Sequence, residues 1–409
     1  MTKLFKYYNL HLQYFSRNVK LFLIGGLFNG IGFSVFSLLF NLYLIENGFS
    51  EAEIGKILSW GSLGSALVAI PAAILLERVH VRKVLIISTI LASLAYFMSI
   101  YSKILSFIFF FIFFANMFLT VYRVSIAPFF MRNSTKRERI FLFSFNGAIG
   151  ILSQLIGFML GGYLPKLLMS LNFTDSLAIA YEWSLYLSVI GSLISIIPFF
   201  KIKQMPIPET RKRFINRFKD YSWQIIIRLM IPRLLVGMGA GLIIPFMNLY
   251  FKLVFGADSS SIGTFFSILQ FFLFLGMIST PFFVKKMGML RTIVLTQLFS
   301  IPFMFILALS NNLSLAVIAF IARGTLMNLS QPVASNFEME IVKPNEHAFT
   351  NAVSTLSWQG SWTISALAGG YIIEKYSFAW SFYITIVLYL LSSISYFAFF
   401  RNKKSQTAQ

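Results

Sequence analysis

Apolar runs of about 20 residues recur from one end of this 409-residue chain to the other. Each run is long enough to cross a hydrocarbon layer of roughly 30 Å as a helix. The runs are too long for membrane strands and do not alternate strictly between apolar and polar residues. The chain is 57% hydrophobic and 12% charged, whereas soluble domains average about 25% charged residues. We therefore predict an all-α integral membrane protein.

Twelve transmembrane helices, called spans 1 to 12 below, are predicted from these runs. Their approximate bounds are 21–45, 53–77, 84–102, 104–131, 140–165, 181–200, 229–252, 260–284, 292–310, 313–336, 351–373 and 377–400. The first run is too long for the core of a signal peptide, so we expect it to be retained.

Short segments of the first half return about 208 residues later. The matches are Gly161-Gly162-Tyr163 with Gly369-Gly370-Tyr371, Glu138 with Glu346, and, one residue out of step, Asn41-Leu42-Tyr43 with Asn248-Leu249-Tyr250. A fixed-period repeat predicts a duplicated unit. We expect two pseudo-symmetric six-helix halves, 1–200 and 229–400, joined by a basic cytoplasmic linker, 201–228, and followed by a cytoplasmic tail, 401–409.

The formal net charge of +20 has an explanation other than nucleic-acid binding. With a cytoplasmic N-terminus, most Lys and Arg residues fall on the inner side of the twelve spans, as the positive-inside rule describes. We therefore expect no nucleic-acid partner, and a prokaryotic plasma (inner) membrane with both termini in the cytoplasm. The absence of cysteine excludes a disulfide framework and a thiolate metal site.

The loop between spans 2 and 3 resembles the signature of the major facilitator superfamily, Gly-x-Leu-x-Asp-Arg-x-Gly-x-Arg-Arg. The matching positions hold Ala73, Leu75, Glu77, Arg78, His80, Arg82 and Lys83. Between spans 8 and 9, Lys286, Gly288 and Arg291 repeat it more weakly, with Lys285 at the acidic position. The resemblance implies twelve spans, alternating access and a gating role for Glu77, Arg78, Arg82, Lys83, Lys286 and Arg291. A topological anchor is the alternative role for this loop.

Span 5 ends in a pattern similar to that of drug:proton antiporters of the same superfamily, without its proline. The pattern here is Gly157, Phe158, Gly161 and Gly162, and the second half carries Gly369 and Gly370. The resemblance favours export. Small residues at this spacing also let helices pack closely, which explains the same glycines without any antiporter function.

Charged residues inside spans mark functional sites by default, because an ion in hydrocarbon costs several kcal/mol. Arg123 in span 4 and Arg323 in span 10 lie deep, whereas Arg233 lies near the inner end of span 7, where it can reach the interface. No carboxylate is expected deep in a span, since Glu338 falls near the inner end of span 10. Arginines inside spans that have no acidic side chain at the same depth suit a solute that carries a carboxylate, sulfonate or phosphate group. Their alternative role is to bond backbone carbonyls and fix helix packing.

Polar and aromatic side chains are expected to complete a substrate site with the two arginines. The candidates are Asn29, Asn146, Gln154, Asn248, Gln270, Asn328, Gln331, Trp358, Gln359 and Trp362. Buried amides must be hydrogen-bonded to protein or to water, so they face protein or water rather than lipid. Each is also explained as a structural contact, and the two tryptophans as simple packing.

These patterns predict a secondary transporter that moves a small organic solute by alternating access, with export favoured. An organic-anion uptake carrier or exchanger and a lipid flippase are the alternatives. The chain has no phosphate-binding loop for ATP, and no metal cluster, activated nucleophile or carboxylate pair. We therefore expect neither enzymatic activity nor a cofactor or metal. The expected partners are the solute, the bilayer and a coupling proton or ion, with the chain a monomer.

Overall fold

The computed structural model describes residues 15–204, 221–343 and 346–401; the side chains of Glu77, Lys136, Arg137, Ile140 and Ala348 are also outside the description. The described part is helical. Its spans are Arg17–Glu46, Glu51–Arg78, Val81–Tyr101, Leu105–Asn133, Lys136–Ser170, Leu177–Leu193 with Ile196–Phe200, Trp223–Ile243 with Met247–Phe255, Ser259–Met287, Met289–Leu309, Leu313–Ile341, His347–Lys375 and Phe378–Phe400. This confirms the predicted all-α class with twelve helical segments. The predicted linker 201–228 and tail 401–409 lie largely outside the described residues.

Eleven of these segments are long and apolar enough to cross a membrane. The remaining one, span 11, is rich in hydroxyl and amide side chains. Ser354, Ser361 and Ser365 on this helix are buried within the protein. Its polar residues therefore face other helices, which is why its composition is less apolar than that of its neighbours.

Several spans extend beyond or break within their predicted bounds. Span 5 begins four residues early because Thr135 and Glu138 form a capping box at its start. Span 7 is interrupted by one 3₁₀ turn at Ile244–Phe246, where Pro245 supplies no backbone N–H for a helical hydrogen bond. Span 10 continues to Ile341, so it includes Glu338.

The chain divides into two compact units, 15–46 with 64–204, and 47–63 with 221–401, within the described residues. In the first unit, an aromatic cluster fills one end of the core. The ring of Phe22 stacks on Phe129 with centroids 4.6 Å apart and meets the edge of Phe130 at 5.0 Å. Such ring pairs stabilise a core beyond the area that they bury.

In the second unit, spans 7, 9, 10, 11 and 12 pack together, and the start of span 2 lies against span 11. The backbone N–H of Ala52 donates to Glu374 at 2.9 Å, and the hydroxyl of Ser59 donates to the carbonyl of Thr363 at 2.7 Å. Gly55 and Gly370 lie so close that a Cβ on either would be less than 3.0 Å from the other's backbone. This first part of span 2 therefore belongs, by its contacts, with the second unit.

The internal packing of the two units confirms the repeat. The hydroxyl of Tyr43 donates to the carbonyl of Ile100 at 2.8 Å, and that of Tyr250 donates to Leu307 at 2.6 Å. Both residues of the second pair lie 207 positions after those of the first. The same packing arrangement is thus built twice from matching residues.

The carboxylates that cap helix starts also match between the two units. Glu138 accepts the backbone N–H of Thr135, and Glu346 accepts that of Lys343, each three residues before the acid. A carboxylate at a helix start satisfies N–H groups that have no partner inside the helix. The repeated acids therefore cap the starts of spans 5 and 11.

Candidate functional site

Arg123 lies in the middle of span 4, about 15 Å from the helix end at Asn133 at 1.5 Å per residue. Its guanidinium carbon is 5.0 Å from the centre of the Phe33 ring, and it interacts electrostatically with the phenols of Tyr96 and Tyr122. The residue is exposed rather than covered by neighbouring protein. Aromatic faces attract a cation, but they leave its hydrogen-bond donors available to an anion.

A polar pocket adjoins Arg123 in the first unit. It is lined by Asn29, Phe33, Tyr96 and Tyr122, together with hydroxyl side chains on spans 3 and 6: Ser88, Thr89, Ser93, Ser188 and Ser192. The hydroxyl of Thr89 is buried without a hydrogen-bond partner in the described protein. The pocket has room for about one or two water molecules. The fold thus brings predicted site residues Asn29 and Arg123 to one place, beside a pocket suited to water.

Arg323 has a different environment in the second unit. It is 4% exposed, and its Nη2 donates to the hydroxyl of Tyr389 at 2.6 Å. Its Nε is buried without a partner among the residues described. Burying a guanidinium without an anion is costly, and the hydrogen-bond partner of Arg323 is a neutral phenol. Arg323 is also less accessible than Arg123.

Arg233 has an ion-pair partner that the sequence did not predict. Its Nη1 pairs with Glu338 at 3.0 Å, and its guanidinium lies 5.7 Å from the centre of the Trp358 ring. Glu338 is 2% exposed and also accepts a hydrogen bond from Ser354 at 2.9 Å. Glu338 lies three residues before the end of span 10 at Ile341, so the expectation that no carboxylate lies deep in a span stays a prediction. Glu338 is nevertheless buried within the protein, because spans 7 and 11 cover it.

Sequence reasoning missed this pair because 105 residues separate its members. The available signal was that Arg233 and Glu338 both lie within about one helical turn of the predicted inner end of a span, at 229 and 336 respectively. An acid and a base at similar depth are candidates for pairing.

Trp358 and Trp362 lie on one face of span 11 with ring centroids 6.0 Å apart. Trp358 contacts the hydrophobic cluster that contains Tyr389, and Arg233 lies over its ring. The indole nitrogen of Trp362 is buried without a partner within the described residues. Trp358 thus connects the surroundings of Arg233 with those of the Arg323–Tyr389 pair.

The predicted amide residues differ in burial and in hydrogen-bond partners. Asn248 is buried and accepts the backbone N–H of Leu249, and Asn328 donates to the carbonyl of Gly324 in its own helix. Gln270 is 5% exposed in span 8. The others are half-buried or exposed: Asn146, Gln154, Gln331 and Gln359. Their role in solute binding stays a prediction.

The predicted gating residues lie at helix ends and loops. Arg78, Lys83, Lys286 and Arg291 are exposed. Arg82 lines a small basic pocket with His80, Arg132 and Lys203. The side chain of Glu77 is outside the described part, so the gating contact stays a prediction.

The glycines predicted for helix packing lie against neighbouring backbone. A Cβ at Gly157 would come within 2.7 Å of the carbonyl oxygen of Ile31, and one at Gly369 would meet that of Leu242 at the same distance. Gly161 faces Val35, and Gly370 faces Glu51 and Gly55; Gly162 follows in the same helix. Absence of a side chain is what permits these close helix contacts.

The charged side chains inside the spans break the repeat. At the offsets of 207 to 208 residues, Arg123 corresponds to Gln331, Arg323 to Ala115, Arg233 to Gly26 and Glu338 to Phe130. The duplicated scaffold therefore forms without any of them at the matching position. Functional residues are the ones expected to depart from a packing pattern that both halves share.

A family model for the Major Facilitator Superfamily matches residues 22–337 and 229–409. The chain belongs to the major facilitator superfamily. A search of curated protein sequences found no match. Membership makes this chain an integral membrane transporter rather than an enzyme.

Solved structures of transporters share the fold of this superfamily member. A point mutant of the nucleoside transporter NupG aligns with a TM-score of 0.80 and 14% identity over 94% of this chain and 100% of that one. A bacterial homolog of the human lysosomal transporter Spinster, inward-facing and unoccupied, gives 0.73 and 13% over 93% and 96%. A D-xylose-proton symporter gives 0.73 and 14% over 94% and 98%. At these identities the likeness concerns the fold alone.

Proposed function

We propose that this protein is a secondary transporter that moves a small organic anion across the membrane by alternating access. The observation that carries the proposal is the environment of Arg123. It is deep in span 4, is not covered by neighbouring protein, and lies against aromatic rings, with no ion pair to a carboxylate among the side chains described. An anionic group of a solute would supply the missing neutralisation through charge-assisted hydrogen bonds.

The polar pocket beside Arg123 supports the same proposal. Asn29 and the hydroxyl groups of spans 3 and 6 line this pocket, so it offers hydrogen-bonding groups to a polar solute or to water. Water that bridges a solute to such groups binds nearly as well as a direct hydrogen bond. Solutes that combine an acid with other polar groups therefore fit better than purely apolar ones.

The geometry does not add to the case for export. The glycines of span 5 that resemble an antiporter motif pack against the backbone of span 1, and close packing is sufficient to account for them. Export thus remains a prediction from sequence motifs, while the charge of the solute is what the site geometry supports.

The test is ligand-induced thermal stabilisation of the purified protein. The probes are benzoate, citrate and glucose 6-phosphate as anions, glucose as a neutral compound, and tetraphenylphosphonium as a cation. A ligand that binds the folded state raises its apparent stability by mass action. We expect stabilisation by at least one anion and none by glucose or tetraphenylphosphonium.

Two variants locate the site. Arg123→Gln is expected to weaken anion binding by about tenfold to a hundredfold, the range for losing a charge-assisted hydrogen bond. Arg228→Gln, which changes an exposed arginine in span 7, is the control and should bind as the wild type does. Stabilisation by the cation or the neutral sugar that survives Arg123→Gln would contradict the proposal.

A further inference from the structure

A small basic pocket in the first unit has no role in the proposed solute site. Its basic residues come from three places in the chain: His80 and Arg82 at the start of span 3, Arg132 at the end of span 4, and Lys203 after span 6. Among the side chains described, which do not include that of Glu77, no carboxylate lines this pocket. Like charges gathered in one place repel each other, so an anion that binds there lowers the electrostatic energy.

Hydrogen bonds hold the walls of the basic pocket in place. Asn18 of span 1 donates to the side-chain oxygen of Asn133 at 2.8 Å, and its own oxygen accepts the backbone N–H of Lys203 at 2.9 Å. Arg132 donates to the carbonyl of Leu76, near the end of span 2, at 3.1 Å. A ligand that binds between walls already held in this way loses little affinity to the ordering of loops.

The start of span 3 adds to the attraction for an anion. This helix has 21 residues, its first turn contains no acidic residue, and the side chain of His80 makes no capping hydrogen bond. Its first two residues, Val81 and Arg82, line the pocket. The N–H groups at a helix start have no partner inside the helix and carry partial positive charge. They therefore favour an anion at the same place as the basic side chains do.

The second unit does not repeat the charge of the basic pocket. At the offset of 208 residues, the matching positions are neutral or acidic: His80 corresponds to Gly288, Arg82 to Leu290 and Arg132 to Glu340. The same helix ends therefore form in the second unit without these cations. The positive-inside rule accounts for basic residues in an inner loop, but it does not require them to line one pocket.

Exposed apolar residues close in sequence to the pocket residues favour a lipid as the source of the anion. Met131, next to Arg132, is 50% exposed, and Phe200, three residues before Lys203, is 55% exposed. Basic pockets between transmembrane helices bind the head groups of anionic lipids. A phospholipid can place its phosphate in the pocket while its acyl chains cover apolar side chains nearby, which a free phosphate ion cannot do.

We propose that the basic pocket binds the phosphate group of an anionic phospholipid. The planar guanidinium groups of Arg82 and Arg132 offer paired N–H donors to phosphate oxygens, and Lys203 adds a point charge. The bound lipid links the ends of spans 3 and 4 to the segment after span 6, so it is expected to stabilise the protein. This proposal does not depend on the solute, and it stands if the organic-anion function fails.

The test is lipid binding to the purified, delipidated protein, measured by native mass spectrometry in detergent. The probes are dioleoylphosphatidylglycerol, dioleoylphosphatidylcholine, which has the same acyl chains and a zwitterionic head group, and glycerol 1-phosphate, which has no acyl chain. We expect phosphatidylglycerol to bind more tightly than either of the others and to raise the melting temperature. Equal binding of the two lipids overturns the proposal. Glycerol 1-phosphate that binds as tightly as phosphatidylglycerol overturns the assignment to a lipid.

Two variants locate the bound phosphatidylglycerol. Arg132→Gln is expected to weaken its binding by about tenfold, as the loss of a charge-assisted hydrogen bond does. Lys201→Gln removes the same charge from an exposed residue that does not line the pocket, so it is the control and should bind as the wild type does. Equal affinities of the two variants, whether both are weakened or both unchanged, would show that the lipid does not bind in this pocket.

A third variant protects the test, because Arg132 also holds the carbonyl of Leu76 and its replacement can disturb the fold. Lys203→Gln keeps that hydrogen bond and the backbone contact of residue 203 with Asn18. We expect its melting temperature without lipid to equal that of the wild type. Its affinity for phosphatidylglycerol should fall by about fivefold, since each basic side chain near an anionic lipid adds to the attraction. Wild-type affinity in this variant contradicts the proposal.

Discussion

At the scale of single residues, the three arginines inside the spans differ in what surrounds each guanidinium. Arg233 has a carboxylate at 3.0 Å, Arg323 has a phenol at 2.6 Å, and Arg123 has aromatic rings and no carboxylate partner among the side chains described. The cost of placing a cation in the membrane is met by a different partner in each case. Arg123 has the environment that an anionic solute would complete, and Arg323 is already satisfied on one side by Tyr389.

Tyr389→Phe removes the hydroxyl that accepts the hydrogen bond of Arg323. We expect the free energy of unfolding to fall by roughly 1–3 kcal/mol, the cost of leaving a buried polar group unsatisfied. The measurement is thermal or denaturant unfolding in detergent. Tyr101→Phe, at a tyrosine that is 70% exposed, is the control. Equal stability of the two variants would show that the hydroxyl contributes nothing to holding Arg323.

At the scale of helices, glycines determine how closely two helices can approach each other, because they have no side chain. A Cβ at Gly157 of span 5 would meet the carbonyl oxygen of Ile31 at 2.7 Å, whereas one at Gly150 of the same helix would meet nothing within 4 Å. Backbone cannot move aside as a flexible side chain can. The glycines of one helix therefore have distinct roles, which their sequence context alone does not reveal.

Gly157→Ala is expected to separate spans 1 and 5 and to destabilise the protein by about 1–3 kcal/mol, as overpacking does. Gly150→Ala should be neutral or stabilise by up to about 1 kcal/mol, because alanine favours helix more than glycine does. Melting temperatures of the two variants in the same detergent provide the comparison. A larger loss in Gly150→Ala than in Gly157→Ala would refute this assignment of the packing face.

Glu346 connects the starts of two helices in the second unit. Burial raises its pKa, but hydrogen bonds from Ser222 and Lys343 outweigh burial, and its pKa is lowered overall. A carboxyl group whose pKa is lower in the folded state stabilises the fold at neutral pH, and this contribution is lost as pH falls through the folded pKa.

Glu346→Gln should therefore lower the melting temperature at neutral pH. The difference from the wild type should shrink as the pH falls below about 4.3, the ordinary pKa of a glutamate, because both proteins then carry a neutral side chain. Melting curves across this pH range, with Glu340→Gln as the control, test whether the difference in melting temperature shrinks on acidification. A deficit that grows on acidification would contradict the role of the ionised carboxylate.

At the scale of the whole molecule, we predict from twelve spans that both ends of the chain and the basic loops lie on one side of the membrane. The chain contains no cysteine, so single cysteines can be introduced without background labelling. Ser176, between spans 5 and 6, and Lys343, between spans 10 and 11, are both exposed. The positive-inside rule places them on opposite sides.

We expect an impermeant maleimide to label Ser176→Cys in intact cells and to label Lys343→Cys only after the cells are permeabilised. The wild type, which has no thiol, is the blank. Labelling of Lys343→Cys in intact cells would reverse the predicted orientation, and equal labelling of both variants would reject the span count.

The sequence by itself determined the helical class, the twelve segments and the duplication. The reason is that lipid offers no hydrogen-bond partner to a backbone, so apolar runs of sufficient length must become helices, and matching residues at a fixed offset build matching contacts, as Tyr43 and Tyr250 do. Only the tertiary structure decided which side chains the buried charges bond to. Glu338 meets Arg233 across 105 residues and Tyr389 meets Arg323 across 66, and such partners depend on which helix faces pack together, which no local pattern records.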